Sequence, residues 1–385
     1  MLKSFKYRLY PNKQQEELLN KHIGCVRFIY NSTLETKQSQ YAKDKTNLSW
    51  MDLVKLLPAL RKEHEWLKEV NSQSLQQSVI NMNTAFENFF KGRAGFPKFK
   101  KKNSSRQSFN IPQNIKIENG KLIIPKFKKG IEVVIDRAHK GSIRQATINR
   151  TPTGKYFVSI LCETGEQEPE LYPIEESKTV GIDLGIKTFI VTSGGKEYEN
   201  PKYLKKSINK LKYSQRQYSK YKGKRRKQKV AVLNEKITNR RKDFLHKVST
   251  ELIRENQSIA LEDLNINGML KNHHLAGSIA DASWGMFVTM LEYKAKWDGV
   301  NILKIGRFDP SSKTCSCCGF INKELTLGDR KWICPECNSV LDRDLNAAIN
   351  IKNFALNHHL CTERILKNHG MLPSLEGAST HEVHC

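Results

Sequence analysis

The stretch Cys315–Asn350, CSCCGFINKELTLGDRKWICPECNSVLDRDLNAAIN, decides how the chain is read. It holds two Cys-x-x-Cys pairs, Cys315/Cys318 and Cys334/Cys337, with fifteen residues between them. Four thiolates on two tight turns match the tetrahedral sulfur coordination of structural zinc, and the spacing is that of a zinc ribbon. Cys317, between two ligands, is read as a bystander, with replacement of Cys318 the alternative. Buried thiols or disulfides are the competing reading, and MLKSFKYRLYPNKQ weighs against them by carrying charge where a secretion signal is apolar. A four-cysteine site leaves no open position for catalysis, so its work would be to brace the next segment. That segment is a carboxylate-rich DRDLN at the head of a helical pattern, with Asp344 placed at the helix N-cap and Asp342 as runner-up.

Working outward, 385 residues exceed one compact core, so two or three domains are expected. No apolar run approaches the ~20 residues that span a bilayer, and the expectation is a soluble intracellular protein with no membrane partner. Cys25, Cys162, Cys361 and Cys385 are expected as free thiols. The 65 basic and 39 acidic residues leave a net charge of +26, and a polyanion is the simplest partner for that self-repelling balance. The charge is concentrated: residues 201–230 hold thirteen Lys/Arg and no acid.

The first half begins with a short strand, Phe5–Leu9, ended by Pro11. Helical periodicity comes next over residues 14–41, around Trp50–Leu60, and over Ser74–Phe90, where Leu75, Val79, Met82, Phe86, Phe89 and Phe90 form a stripe read as core. Gly92, Gly95 and Pro97 stop that helix. Lys98, Lys100, Lys101, Lys102 and Arg106 then alternate with Phe96, Phe99 and Phe109, a pattern suited to neutralising phosphates and stacking on bases. As charge alone, the run would be a solvated linker. From 110 to 163 β-branched runs split at Asn119-Gly120 and Thr153-Gly154 predict hairpins and a small β-domain or barrel, which the first strand joins. Residues 165–177 read as an acidic linker.

In the second half, TVGIDLGIKTFIVT puts one acid, Asp183, inside an apolar strand that is succeeded by a second strand, Phe189–Thr192. A carboxylate there costs several kcal/mol unless it is paired or binds metal. The basic stretch continues as one or two long helices with a break at Gly223, then a helix Phe244–Glu255, then a strand SIALEDL ending at Glu262. Asp263 points to the opposite face if that strand continues. The helix 283–299 and a last strand, NILKIGR, lead into the ribbon. Asp183, Glu262 and Asp344 are thus expected together as catalytic acids holding two Mg(II) (or Mn(II)) ions for phosphodiester hydrolysis. Hard oxygens suit magnesium and the thiolates suit zinc, so the two sites should not compete.

GIDLGIKTF, ALEDL, SSKTCSCCG, CPECN and DRDLNAAINI, in that order, with KYRLYP and GFPKFK upstream, resemble TnpB, the OrfB protein of bacterial insertion sequences and an ancestor of type V CRISPR effectors. The likeness spans residues 1 to about 355. It implies a multidomain α+β protein: a β-barrel wedge domain (1–12 and 106–172) with a helical recognition insert (13–105), then an RNase H-like RuvC nuclease domain (173–355) with an inserted zinc ribbon (312–340), and a C-terminal tail (356–385). It further implies a bacterial, cytoplasmic RNA-guided DNA endonuclease. Such a protein binds a guide RNA made from its element's end and cuts double-stranded DNA beside a short transposon-associated motif. Asp183, Glu262 and Asp344 match the family's acids, and Cys315, Cys318, Cys334 and Cys337 its zinc ligands. Trp50, Ser72 and Gln76 are candidates for reading the DNA motif. Lys98 to Arg106 and Lys224, Arg225 and Arg226 suit a backbone-holding role, with RNA and DNA not distinguished between them. A transposase performing strand transfer and a non-cutting RNA-guided regulator are the alternatives; the presence of all three acids weighs against the second.

Overall fold

In the computed structural model the chain is described at all residues except Arg106, His273, His274, Leu327 and 369–385, with side chains left out at Asn267 and 362–368. It divides into two compact units, Met1–Gln167 and Glu168–Cys385.

The first unit runs β1 (Leu2–Tyr10), α1 (Lys13–Asp44), α2 (Trp50–Lys55), α3 (Leu57–Glu63), α4 (Ser72–Phe90), β2 (Gln107–Ile111), β3 (Lys116–Glu118), β4 (Lys121–Ile124), β5 (Phe127–Val134), β6 (Ser142–Arg150) and β7 (Tyr156–Glu163). Residues 14–41 lie in one helix, which starts where Asn12 and Gln15 cap each other reciprocally. The strands form an antiparallel ladder in the order β2-β6-β7-β1-β5-β4-β3, so β1 does join the sheet as expected, at its centre. Asn119 and Gly120 both take positive φ (49° and 69°), as a two-residue hairpin turn between β3 and β4 requires. Strict alternation along β7 buries Tyr156, Val158, Ile160 and Cys162 in the core that also takes Leu19, Ile23 and Ile29 of α1 and Leu75, Val79 and Met82 of α4. The expected stripe on α4 fails at its end: Phe86 is buried in the core, but Phe90 is exposed and packs outside it against Phe89 and Phe86. Gly92 (φ 66°) turns the chain there, and Phe96 comes back against Phe86 and Phe89.

The second unit runs β8 (Thr179–Leu184), β9 (Thr188–Thr192), β10 (Glu197–Glu199), α5 (Tyr203–Tyr221), α6 (Lys224–Glu255), β11 (Ser258–Glu262), α7 (Ile266–Met269), α8 (Ala276–Ala282), α9 (Trp284–Asp298), β12 (Asn301–Ile305), β13 (Lys331–Ile333), β14 (Val340–Asp342) and α10 (Arg343–Asn368). Gly223 breaks the basic stretch as expected, but Phe244–Glu255 is the end of α6, not a separate helix. Likewise residues 356–368 continue α10 instead of starting a tail; the rest of that expected tail lies outside the described residues. The sheet order is β10-β9-β8-β11-β12, with β8, β11 and β12 parallel and β9 and β10 antiparallel to their neighbours.

Alternation along the strands assigns the two faces. Val180, Ile182, Ile259 and Leu261 pack with Leu245, Leu252, Phe287 and Leu291 of α6 and α9. Ala260 and Ile305 pack with Ile351 and Ala355 of α10 on the other side. Gly181 belongs to that second face, and a Cβ there would meet the Ala348 carbonyl oxygen at 2.1 Å and the Lys352 nitrogen at 2.7 Å. Helix α10 therefore lies directly on the β8 backbone, a contact only glycine permits. Gly181→Ala should lower the stability of the protein by about 1–3 kcal/mol, whereas Gly277→Ala, on an open face of α8 with nothing within 4 Å, should be neutral or better. Equal denaturant midpoints for the two variants would contradict the close approach.

Candidate metal centres and nucleic-acid interface

Asp183 and Glu262 share the strand parity of Gly181 and Ala260, so period two directs both carboxylates to the face that α10 covers. The β8–β11 register pairs Thr179 with Ser258 and Gly181 with Ala260; carried two residues on, it sets Asp183 level with Glu262. Ala348 lies over Gly181, and Asp344 sits one helical turn before Ala348. Three acids far apart in sequence are thus brought near enough for the charges of Glu262 and Asp344 to act on Asp183. Burial, together with the charges of Glu262 and Asp344, pushes the Asp183 carboxyl up to about 7, against the pull of Arg343 and Arg330.

Each of the other two acids has a partner. Glu262 Oε1 accepts a hydrogen bond from Ser311 Oγ at 2.6 Å, and Asp344 pairs with Arg330 at 3.2 Å. Among the described residues the three carboxylates do not form a cluster with all ligand oxygens within 4.8 Å; only the cysteines do. The N-cap of α10 is a correction to the sequence reading: Asp342, not Asp344, accepts from the Asp344 and Leu345 nitrogens at 3.1 Å, because β14 delivers Asp342 to the helix start in extended form. Asp344 occupies the first turn, where the helix dipole favours a carboxylate. Asp263, exposed, turns away to Arg307 at 3.2 Å.

The four sulfurs of Cys315, Cys318, Cys334 and Cys337 lie within 4.8 Å of one another, with Cys315–Cys337 at 3.6 Å and Cys318–Cys334 at 3.5 Å. Tetrahedral coordination at about 2.3 Å per Zn–S bond needs sulfurs about 3.8 Å apart, so the donor set fits zinc. Two matching knuckles build it: four residues after Cys315 and after Cys334, Gly319 (φ 81°) and Asn338 (φ 58°) take the left-handed conformation and return their N–H to the cysteine carbonyl at 2.9 Å. Ser339, through its hydroxyl and backbone, lowers the Cys337 thiol, while burial raises that of Cys315, so the crowded sulfurs share their protons unevenly. Cys317 is exposed and stands apart from the cluster.

Sequence reasoning missed the link between this ribbon and the acids. Asn346 and Asn350, buried on α10, donate to the Thr314 carbonyl at 2.7 and 2.6 Å; Asn350 also donates to Ser311 O at 2.7 Å, and Asn346 accepts from Ser316 N at 2.9 Å. The signal was present: two asparagines four apart on an otherwise apolar helix stretch ask for buried partners. Ser311 and Arg330 carry no such mark.

The basic candidates are scattered. Lys98, Lys101 and Lys102 are exposed, while Lys100 sits with its ammonium 3.8 Å from the Tyr30 ring centroid and its backbone clamped by Asn31 at 3.0 and 2.8 Å. Arg106 lies outside the described residues. Lys224, Arg225 and Arg226 open α6 with no acid in the first turn and no side-chain cap, an arrangement the helix dipole disfavours unless an anion is supplied. Trp50 begins α2 and is exposed; Ser72 and Gln76 lie on the first turns of α4, half-buried and exposed. In the second unit a cavity of about 620 Å³ is lined by Lys187, Lys202, Lys205 and Arg330, so one guanidinium serves both this basic hollow and Asp344.

The second unit is thus a mixed α/β protein body in which a four-cysteine ribbon abuts a carboxylate-bearing sheet face. Comparison with known proteins sharpens that class. Residues 159–273 match a family described as "Probable transposase" (OrfB of IS605), 284–351 a "Cas12f1-like, TNB domain", and 1–46, here β1 and α1, a "Helix-turn-helix domain". A Streptomyces pristinaespiralis protein named "Putative RNA-guided DNA endonuclease" is 36% identical over 98% of this chain and 94% of its own length. The Escherichia coli K12 protein InsQ, named likewise, is 30% identical over 91% of each. A solved Cas12f1–sgRNA–target DNA complex aligns over 92% of this chain and 99% of its own, at 17% identity and TM-score 0.36. The chain belongs to the TnpB (OrfB) family of IS605-type insertion sequences.

A raised carboxyl pKa makes the folded state the tighter proton binder, so the contribution of Asp183 to stability is complete below about pH 4 and is lost as pH rises through about 7. In EDTA, Asp183→Asn should therefore stabilise the protein at pH 8 by about 1–4 kcal/mol and leave it unchanged at pH 4. Thermal melts showing the same increment at both pH values would contradict this.

Proposed function

We propose that this protein is the RNA-guided DNA endonuclease of an IS605-type element, cutting target DNA by metal-dependent phosphodiester hydrolysis at Asp183, Glu262 and Asp344. The observation that carries it is full-length similarity to two proteins named for that activity, joined to three acids gathered on one sheet face. The 3-2-1-4-5 strand order supports an RNase H-like RuvC domain over 173–355, the seven-stranded ladder a wedge domain (1–12 and 106–172), and α1–α4 a recognition insert (13–105).

Asp183, Glu262 and Asp344 would hold Mg(II) or Mn(II), two ions in all, and the acids' mutual repulsion is what divalent charge would offset. When bound, such ions make a nucleophile from water and stabilise the leaving oxygen. The chain's own part is positioning. Ser311 fixes the Glu262 carboxylate, Arg330 fixes Asp344, and the Lys187, Lys202 and Lys205 hollow offers cations to the strand's phosphates. Structural zinc at the four cysteines would hold the ribbon that carries Arg330. The exposed lysines of 98–102 and the start of α6 suit the backbones of a guide RNA from the element's end and of double-stranded target DNA, whose sequence is read by base pairing. Trp50, Ser72 and Gln76 remain the proposed readers of the target-adjacent motif.

Glu262→Ala should abolish DNA cleavage by the co-purified ribonucleoprotein while binding to guide RNA and target stays within about twofold; cutting at the wild-type rate would refute the assignment. Guide-independent joining of element ends to new DNA would favour the transposase reading instead. Cys334→Ser should release one zinc per chain by elemental analysis and lower the melting temperature and cleavage together. A zinc-free variant with full activity would show that the ribbon braces nothing.

A further inference from the structure

We propose that Phe308 is a base-stacking platform for a single strand of nucleic acid delivered to the acidic face; the proposal rests on the endonuclease reading and names how that site takes its strand. Phe308 is 93% exposed, the barest large hydrophobic side chain among the described residues. Nothing in the fold is gained by it, yet the turn that carries it is held at every corner. The Gly306 nitrogen donates to Asp309 Oδ2 at 2.7 Å, Asp309 N to Gly306 O at 3.2 Å, and Ser311 N to Asp309 O at 2.8 Å. Arg307, beside it, is anchored on Asp263, the residue after Glu262. A ring in water on a stapled turn is preorganised: stacking on it orders nothing further.

Position supplies the occupant. Ser311, three residues on, is the group that bonds Glu262, and three residues of chain reach at most about 11 Å. The turn that carries the ring is therefore tethered, within that length of chain, to the residue seated on Glu262. A protein partner would need a patch of some hundreds of Å², and a lone phenyl between Arg307 and Asp309 is not one. A nucleobase matches it in size, and every base offers a face, so the contact is independent of sequence, as base-pair-guided selection requires. The net charge of +26 favours a polyanion as the occupant.

The test uses the protein with its co-purified RNA, in EDTA, and a short single-stranded DNA containing 2-aminopurine. Wild type should quench the probe on binding. Phe308→Ala should melt at the wild-type temperature, bind about tenfold more weakly and lose the quench; Phe308→Trp should keep both and Phe308→Leu should lose the quench. Phe308→Ala with unchanged affinity and quench overturns the proposal, as does Phe308→Leu behaving like wild type, which would mark an apolar contact. A change in oligomeric state on Phe308→Ala would assign the ring to a second copy of the chain and overturn it too. In Mg(II), a wild-type protein that quenches but never cuts breaks the endonuclease reading and leaves the stacking intact. Cutting by Phe308→Ala with an unchanged KM breaks the stacking alone.

Discussion

The second unit depends on backbone lying against backbone: α10 on β8 at Gly181, where any side chain would collide with the Ala348 carbonyl. That contact fixes how far the start of the helix stands from the strand end, and so brings Asp344 to the face that holds Asp183 and Glu262. Carboxylates placed this way repel one another, and burial of Asp183 together with the charges of Glu262 and Asp344 pushes its carboxyl up to about 7. A divalent cation held by the three acids, as proposed, would turn that repulsion into attraction.

The cysteine ribbon acts on this face through hydrogen bonds. Zinc closure alone would fold a small module with a core of Leu325, Trp332 and Leu341 and leave its orientation free. Asn346 and Asn350 tie the start of the ribbon down on α10, and the same segment sends Ser311 to Glu262. From between the two cysteine pairs, Arg330 reaches Asp344, and Asp342 leads directly into the helix as its cap. Buried amides satisfied at both ends specify one arrangement, because each alternative would strand a polar group without water.

Much of this was legible in the residues. Cysteine spacing carries its own geometry, an acid in an apolar strand declares itself by its cost, and Asn-Gly forces a hairpin. The hidden part depends on contacts distant in sequence. That Gly181 is a docking surface for α10, and not a strand weakness, cannot be seen from TVGIDLG. Whether Asp342 or Asp344 caps the helix turns on how β14 enters it. Phe90 fits the helical period of its neighbours but overruns the core they fill, and Lys100 reads as one of several loop cations until Tyr30 and Asn31 are found beneath it.

That the three acids share divalent cations is tested most directly by anomalous diffraction from the ribonucleoprotein crystallised with Mn(II). Manganese peaks are expected within about 2.0–2.3 Å of carboxylate oxygens from Asp183, Glu262 and Asp344. Manganese bound only elsewhere, in a preparation that cuts DNA, would contradict the shared site.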